Sequence, residues 1–216
     1  MSHPLSAEAL SASLKSQDPQ EREAATLALY RARKWEWIPS VAESLRTNAR
    51  ERPDAPTLLV LAHDGGGATL ALLRELMTGD SGKLTKLDLD SPAVPLEAAA
   101  TVALSGLGDA DANRALHQLA TSDDLAIRRF LLEVIDDLND PSVLHQLLDY
   151  LADERAVEGA GVPHGAEPAR RLADLAADAL MGRLNLSVGF ARKPTGRYEP
   201  AELAEVERRV KESIPT

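Results

Sequence analysis

The sequence predicts an all-α chain of stacked helical hairpins, and three observations carry that expectation. Apolar residues make up 44% of the chain but aromatics only 3%. The hydrophobic content is therefore mostly Ala and Leu, which enter helices at little cost, while residues that suit strands are scarce. Segments with apolar residues at helical spacing recur along the chain. Between them, Gly, Asn, Asp and Pro fall where helix caps and turns are needed.

Taken in order, "EREAATLALYRA" (Glu21–Ala32) opens a first hairpin and "WIPSVAESLRTNARE" (Trp37–Glu51) closes it. "RPDAP" then breaks the chain, with Pro56 suited to the first turn of the next helix. The stretch "LLVLAHDGGGATLALLREL" (Leu58–Leu76) could be taken for the strand, glycine-rich turn and helix of a phosphate binder or hydrolase. It lacks the Gly-Lys-Ser/Thr ending that brings a phosphate-binding lysine, and it lacks a Gly-x-Ser-x-Gly elbow. No partner strands stand out elsewhere. Two helices separated by a "DGGG" capping turn are expected.

The polar "TGDSGKLTKLDLDSPAVP" (Thr78–Pro95) is expected to run over the surface. "LEAAATVALSGL" (Leu96–Leu107) and "IRRFLLEVIDDL" (Ile127–Leu138) open two further hairpins. Their second helices, in "GLGDADANRALHQLA" and "DLNDPSVLHQLLDYL", share Leu-His-Gln-Leu at Leu116–Leu119 and Leu144–Leu147. Aligning the first helices puts Ala24, Ala99 and Phe130 in one column, Ala28, Ala103 and Val134 in a second, and Ala32, Leu107 and Leu138 in a third. Each column is expected to face the core.

"RAVEGAGVPHGAEPA" (Arg155–Ala169) is a long loop, of the kind that is functional or disordered. "LADLAADALMGRL" (Leu172–Leu184) is a fourth copy of the helical pattern. Beyond it, "NLSVGFARKPTGR" reads as an irregular capping segment. Tyr198–Ser213 reads as a final helix, with Pro200 in its first turn and Leu203, Val206 and Val210 as its apolar stripe.

The Asp-Pro-x-x-Arg start of "DPQEREAATLAL" (Asp18–Leu29), with "SDDLAIRRFLLEVIDDLNDPSVLHQLL" (Ser122–Leu148) and "RRLADLAADALMGRL", resembles the HEAT repeat family in its short bacterial, phycobilisome-lyase-type form. The resemblance covers residues 16 to about 185. It implies a right-handed α-solenoid of about four to five hairpins over residues 1–185, with irregular connections near 78–95 and 155–169, closed by a capping segment and helix over 186–216. Such folds are scaffolds and do not name a function.

A formal charge of −10 disfavours a broad nucleic-acid surface and suits a basic protein as partner. The absence of cysteine excludes disulfides and thiolate chemistry. No apolar run reaches bilayer length and no secretory signal stands at the N-terminus, so a cytoplasmic location without membrane attachment is expected. The five histidines form neither His-x-x-x-His nor His-Glu-x-x-His, and no metal or cofactor is expected. "DADAN" (Asp109–Asn113) alternates oxygen ligands but lacks the glycine and terminal Glu of a calcium loop. Acidic residues beside turns are expected to cap helices.

Two surfaces stand out. In the family that the chain resembles, second helices line the concave face, so the row Arg114, His117, Gln118, His145, Gln146 and Asp149 would contact a partner. "YRARKWEWIP" (Tyr30–Pro39) gathers Arg31, Arg33, Lys34, Trp35 and Trp37, residue types that dominate binding hot spots. Its rings could instead pack over the first helical turn. The expected function is a non-catalytic protein-binding scaffold or adaptor. The alternative is an enzyme or enzyme subunit similar to chromophore lyases or alkylbase DNA glycosylases. The missing cysteine and missing basic channel weigh against it; a buried carboxylate in a pocket beside Trp35 or Trp37 would favour it.

Overall fold

Caps decide where the helices begin. Side-chain oxygens of Ser6, Asp18, Asp54, Asp124 and Asp140 each accept a backbone N–H in the first turn of a helix. Each thereby satisfies a donor that the helix itself leaves unpaired. The computed structural model describes residues 6–79, 82–157 and 170–214. These residues are mostly helical. The helices are α1 (Ala7–Leu14), α2 (Pro19–Ala32), α3 (Ile38–Glu51), α4 (Ala55–Leu61), α5 (Gly67–Thr78), α6 (Leu96–Gly106), α7 (Ala110–Ala120), α8 (Leu125–Glu133), α9 (Pro141–Gln146), α10 (Leu172–Arg183) and α11 (Pro200–Ser213). The chain divides into two compact units, residues 1–89 with 93–113, and residues 90–92 with 114–216. The division falls inside α7. No described helix is long and apolar enough to cross a membrane.

In the first unit, helices pack in two rows. α2 packs on α4 and α4 on α6, while α1 packs on α3 and α3 on α5. The rows are joined where α1 meets α2, α3 meets α4 and α5 meets α6. α6 is buried almost all round, from Leu96 to Ser105 apart from Glu97, which is why its sequence is apolar without a clear stripe. The Leu58–Leu76 stretch is two helices, α4 and α5, as its missing phosphate-loop ending indicated. Gly65 takes φ +62° in the turn between them, a conformation that costs glycine little.

Two expectations for this unit need correction. Ala24 and Ala32 are exposed and Ala28 is half-buried; α2 instead buries Ala25, Thr26, Leu29 and Tyr30. Alanine gains too little from burial to set the phase of a helix, so the larger Leu29 and Tyr30 set it. The polar 78–95 connection is also partly built in. Leu84–Thr85 (β1) pairs antiparallel with Val94–Pro95 (β2), and Leu87 and Val94 are buried. The Thr85 hydroxyl accepts the buried Ala55 N–H at 2.8 Å, tying the connection to the start of α4.

In the second unit α10 is the centre, packed against α8, α11 and a 3₁₀ segment, Leu147–Ala152, that continues α9. α8 stops at Glu133 rather than running to Leu138, and a 3₁₀ turn covers Ile135–Asp137. β-branched Val134 and Ile135, followed by two acids at a helix C-terminus, disfavour continuation. Ala156 and Arg171 form an isolated antiparallel bridge. Residues 158–169, most of the predicted long loop, lie outside the described residues. α11 buries Leu203, Val206 and Val210, the stripe read from the sequence.

One local assembly occurs twice. The Ser16 hydroxyl accepts the Asp18 N–H at 3.2 Å, Asp18 caps α2, and the Arg22 guanidinium donates back to the Ser16 carbonyl at 2.8 Å. Ser122, Asp124 and Arg128 repeat it: 3.2 Å from the Asp124 N–H to the Ser122 hydroxyl, a cap on α8, and 2.7 Å from Arg128 to the Ser122 carbonyl.

Candidate functional site

The six residues of the second-helix row lie in the second unit, and of them His117 and Gln146 are in contact. His117 is half-buried on α7, with Nδ1 3.1 Å from Gln146 Oε1 and Nε2 3.1 Å from Asp140 Oδ2. Asp140 is the N-cap of α9. Hydrogen bonds from Ser142 and the nearby His117 hold its carboxyl below the usual carboxylate range, against some desolvation. His117 and Gln146 therefore join α7 to α9, which makes them positioning residues of this surface. Arg114, Gln118 and Asp149 are exposed, and His145 is half-buried.

His145 and Asp149 face a different feature, a groove of about 560 Å³. One wall is His145, Leu148, Asp149, Leu151, Ala152 and Glu154; the other is Pro200, Leu203, Ala204, Glu207 and Lys211 of α11. Leu148, Leu151 and Leu203 line it as nearly buried side chains. Glu154 accepts from Arg171 at 2.9 Å, and Lys211 donates to Glu207 at 2.5 Å. Leu148, Leu151, Ala152, Glu154 and the α11 wall were missed by sequence reasoning. The α11 wall carries helical spacing, but nothing in the sequence says that the two walls face each other.

A buried ionic clasp holds α11 in place. Asp174 is fully buried, accepts from Arg171 at 2.8 Å and accepts the Tyr198 N–H at 2.8 Å. Burial pushes its carboxyl up, but the Arg171 guanidinium and two backbone N–H groups outweigh that and hold it below its ordinary range. The Tyr198 hydroxyl donates to Asp178 at 2.6 Å and accepts the Lys193 N–H at 2.8 Å. Burial first, and the Asp178 carboxylate second, push this phenol up to about 12. Asp153 is likewise gripped by Arg155 and Arg128, whose hydrogen bonds bring its carboxyl down to about 2.

The tryptophan patch lies in the first unit. Trp35 stacks on His63 with ring centroids 3.9 Å apart and planes 10° from parallel. The Arg33 guanidinium lies 4.7 Å from the Tyr30 ring centroid and 5.4 Å from that of Trp35. Arg33 takes φ +51° as the C-cap of α2, which turns the chain into the 3₁₀ turn Trp35–Trp37. Trp37 is half-buried, and its carbonyl accepts the Ser40 hydroxyl at the start of α3. The rings thus take part in the junction of α2, α3 and the end of α4.

Two further acids brace turns. Asp64 accepts from the Thr69 hydroxyl and from Arg46 at 2.8 Å, bracing the turn before α5. Asp109 of "DADAN" accepts the Asp111 and Ala112 N–H groups at 3.0 Å and pairs with Arg74 at 2.8 Å. The Ala112 N–H first, and the Arg74 guanidinium second, hold Asp109 below its ordinary range. Among the described residues, no three His, Asp or Glu side chains are grouped to hold a metal ion. Asp54, whose carboxyl burial pushes up to about 6, caps α4 in a small pocket lined by Pro19, Arg22, Glu23, Thr26, Asn48, Arg52 and Thr57, with neither tryptophan among them.

No family model matches the chain, and neither a curated protein nor a solved structure matches it.

Proposed function

We propose that this chain is a non-catalytic helical-repeat scaffold that binds another protein along its second-helix row. The observation that carries the reading is the repeated Ser-x-Asp-x-x-x-Arg assembly at Ser16–Arg22 and Ser122–Arg128. A side-chain network rebuilt with the same residue types and geometry is what tandem hairpins of one ancestral unit produce. Supporting it are the two helix rows of the first unit and the resemblance to HEAT repeats, whose arrays form right-handed solenoids. A stacked array holds side chains on a fixed surface, so binding there orders few groups anew. The net charge of −10 makes a basic partner the favoured one and speeds its encounter.

The test uses a photo-crosslinking amino acid at exposed row positions, Arg114 or Gln118, with Gln20 at the start of α2 as an exposed control. A discrete cross-linked protein in native cells from the row positions but not from Gln20 is the expected result. No product, or the same product from all three positions, would sink the reading.

A further inference from the structure

We propose that the groove between residues 145–154 and α11 receives a basic amphipathic helix of the partner protein. This rests on the scaffold reading and gives it a site and a ligand class. The α11 wall is helical in spacing, with Pro200, Leu203, Ala204, Glu207 and Lys211; the other, His145, Leu148, Asp149, Leu151, Ala152 and Glu154, runs from the end of α9 along the 3₁₀ segment and just beyond it. The two walls leave a trough for the i, i+3, i+4 and i+7 side chains of a third helix. The chain already seats one helix this way. α11 is amphipathic, buries Leu203, Val206 and Val210, and packs on α10 and the 147–152 segment.

The trough holds about 560 Å³, within the range of formed binding sites. That suits a few anchoring side chains rather than a whole helix. Ala204 is small and exposed, so α11 leaves the space beside Leu203 open. Leu148, Leu151 and Leu203, each nearly buried, supply the apolar part of a lining that is more polar than apolar overall. The rim carries Asp149, Glu154 and Glu207 against Lys211 and His145. Arg171 offsets Glu154 and Lys211 offsets Glu207, which leaves exposed Asp149 as the rim's uncompensated acid in a chain of charge −10. A helix with apolar anchors and flanking Lys or Arg complements both features; one flanked by acids does not.

The probe is a fluorescein-labelled Leu/Lys peptide of about 20 residues, beyond the length at which isolated helices are marginal. Its comparators are a scrambled isomer without an apolar face and a Leu/Glu version with the original spacing. Anisotropy should show saturable binding of the first alone. Affinity should fall about tenfold or more with Ala204→Trp, which fills the trough, and with Asp149→Lys. Circular dichroism establishes that both variants are folded. No saturable binding, equal binding of the scrambled peptide, or indifference to both substitutions overturns the proposal. So does concentration-dependent dimerisation abolished by Ala204→Trp, since a second copy would then be the occupant. The peptide result is independent of cross-linking from the row. Cross-links without peptide binding remove only the groove, and peptide binding without cross-links removes only the row.

Discussion

The Trp35 indole lies flat on the His63 imidazole, 3.9 Å between ring centroids and 10° from parallel, and this stack fastens the turn before α3 to the end of α4. His63 comes from the stretch that resembles a phosphate loop, and Trp35 from the stretch that resembles a hot spot. The stack brings the two stretches into contact. Aromatic pairs of this kind contribute about 1 kcal/mol beyond the area they bury. A double-mutant cycle with Trp35→Ala and His63→Ala should give a coupling of that size in chemical unfolding. Purely additive single mutants would mean that the stack is ornamental and that Trp35 is free to bind.

Tyr198 is the pin of the second unit. Its hydroxyl satisfies the Lys193 N–H and donates to Asp178, while its own N–H donates to the buried Asp174. Tyr198→Phe keeps the ring against Phe190 but strands one donor and one carboxylate oxygen. Both groups are only part-buried and Asp178 keeps Arg170, so the cost falls at the low end of the roughly 1–3 kcal/mol of a buried stranded group, about 1 kcal/mol. Hydrogen exchange should report the loss at α10 and α11, with the first unit unchanged.

Arg22 and Arg128 occupy equivalent places in the repeated assembly, yet their removal should differ. Arg22 also reaches Glu51 at 3.4 Å, an acid with 59% of its side chain exposed. Arg128 reaches Asp153 at 2.8 Å, only 6% exposed, and lies 4.9 Å from the Tyr150 ring centroid. An exposed pair is worth little, and a buried acid suffers when it loses a partner. Arg22→Ala should cost about 1 kcal/mol and Arg128→Ala about 2–3 kcal/mol, the retained Arg155 moderating the second. Tryptophan fluorescence follows the first unit, which holds both Trp35 and Trp37, and hydrogen exchange follows the second. Equal costs would refute the argument from burial.

Helices with strong local signals were legible in the sequence. In α11, Pro200 marked the start and Leu203, Val206 and Val210 the buried stripe, because cap chemistry and large apolar residues act locally. The Leu58–Leu76 stretch was legible by what it lacks. The phase of α2 was not, since three alanines at helical spacing mimic a stripe without the burial energy to impose it. The site was legible in part. His117 and Gln146 share a row in the sequence, but the Asp140 cap that engages His117 belongs to the next hairpin and approaches it only on folding. The groove was not legible, because its walls come from segments distant in the chain that meet through the Asp174 and Tyr198 clasp.

Asp54 makes the sharpest pH test. Its carboxylate accepts the Thr57 N–H and hydroxyl, each at 2.9 Å, but burial, with Glu23 adding to it, pushes its pKa up to about 6, Arg52 opposing. An acid whose folded pKa exceeds its unfolded value of about 3.9 binds its proton more tightly in the native state. Its stabilising contribution is therefore complete below pH 4 and is lost as pH rises through 6. The penalty at pH 7.5 is on the order of 2–3 kcal/mol for a two-unit shift. Asn is also a good N-cap, so Asp54→Asn keeps the bond from the Thr57 N–H and carries no charge at any pH. Asp109, Asp140, Asp153 and Asp174, with depressed pKa values, act in the opposite direction but equally in both proteins, so they cancel in the difference. The variant should match the parent at pH 4 and exceed it by about 2 kcal/mol at pH 7.5, in urea unfolding followed by tryptophan fluorescence. A difference that stays constant across that range would mean that Asp54 titrates as an ordinary surface acid and that its pocket is open to water.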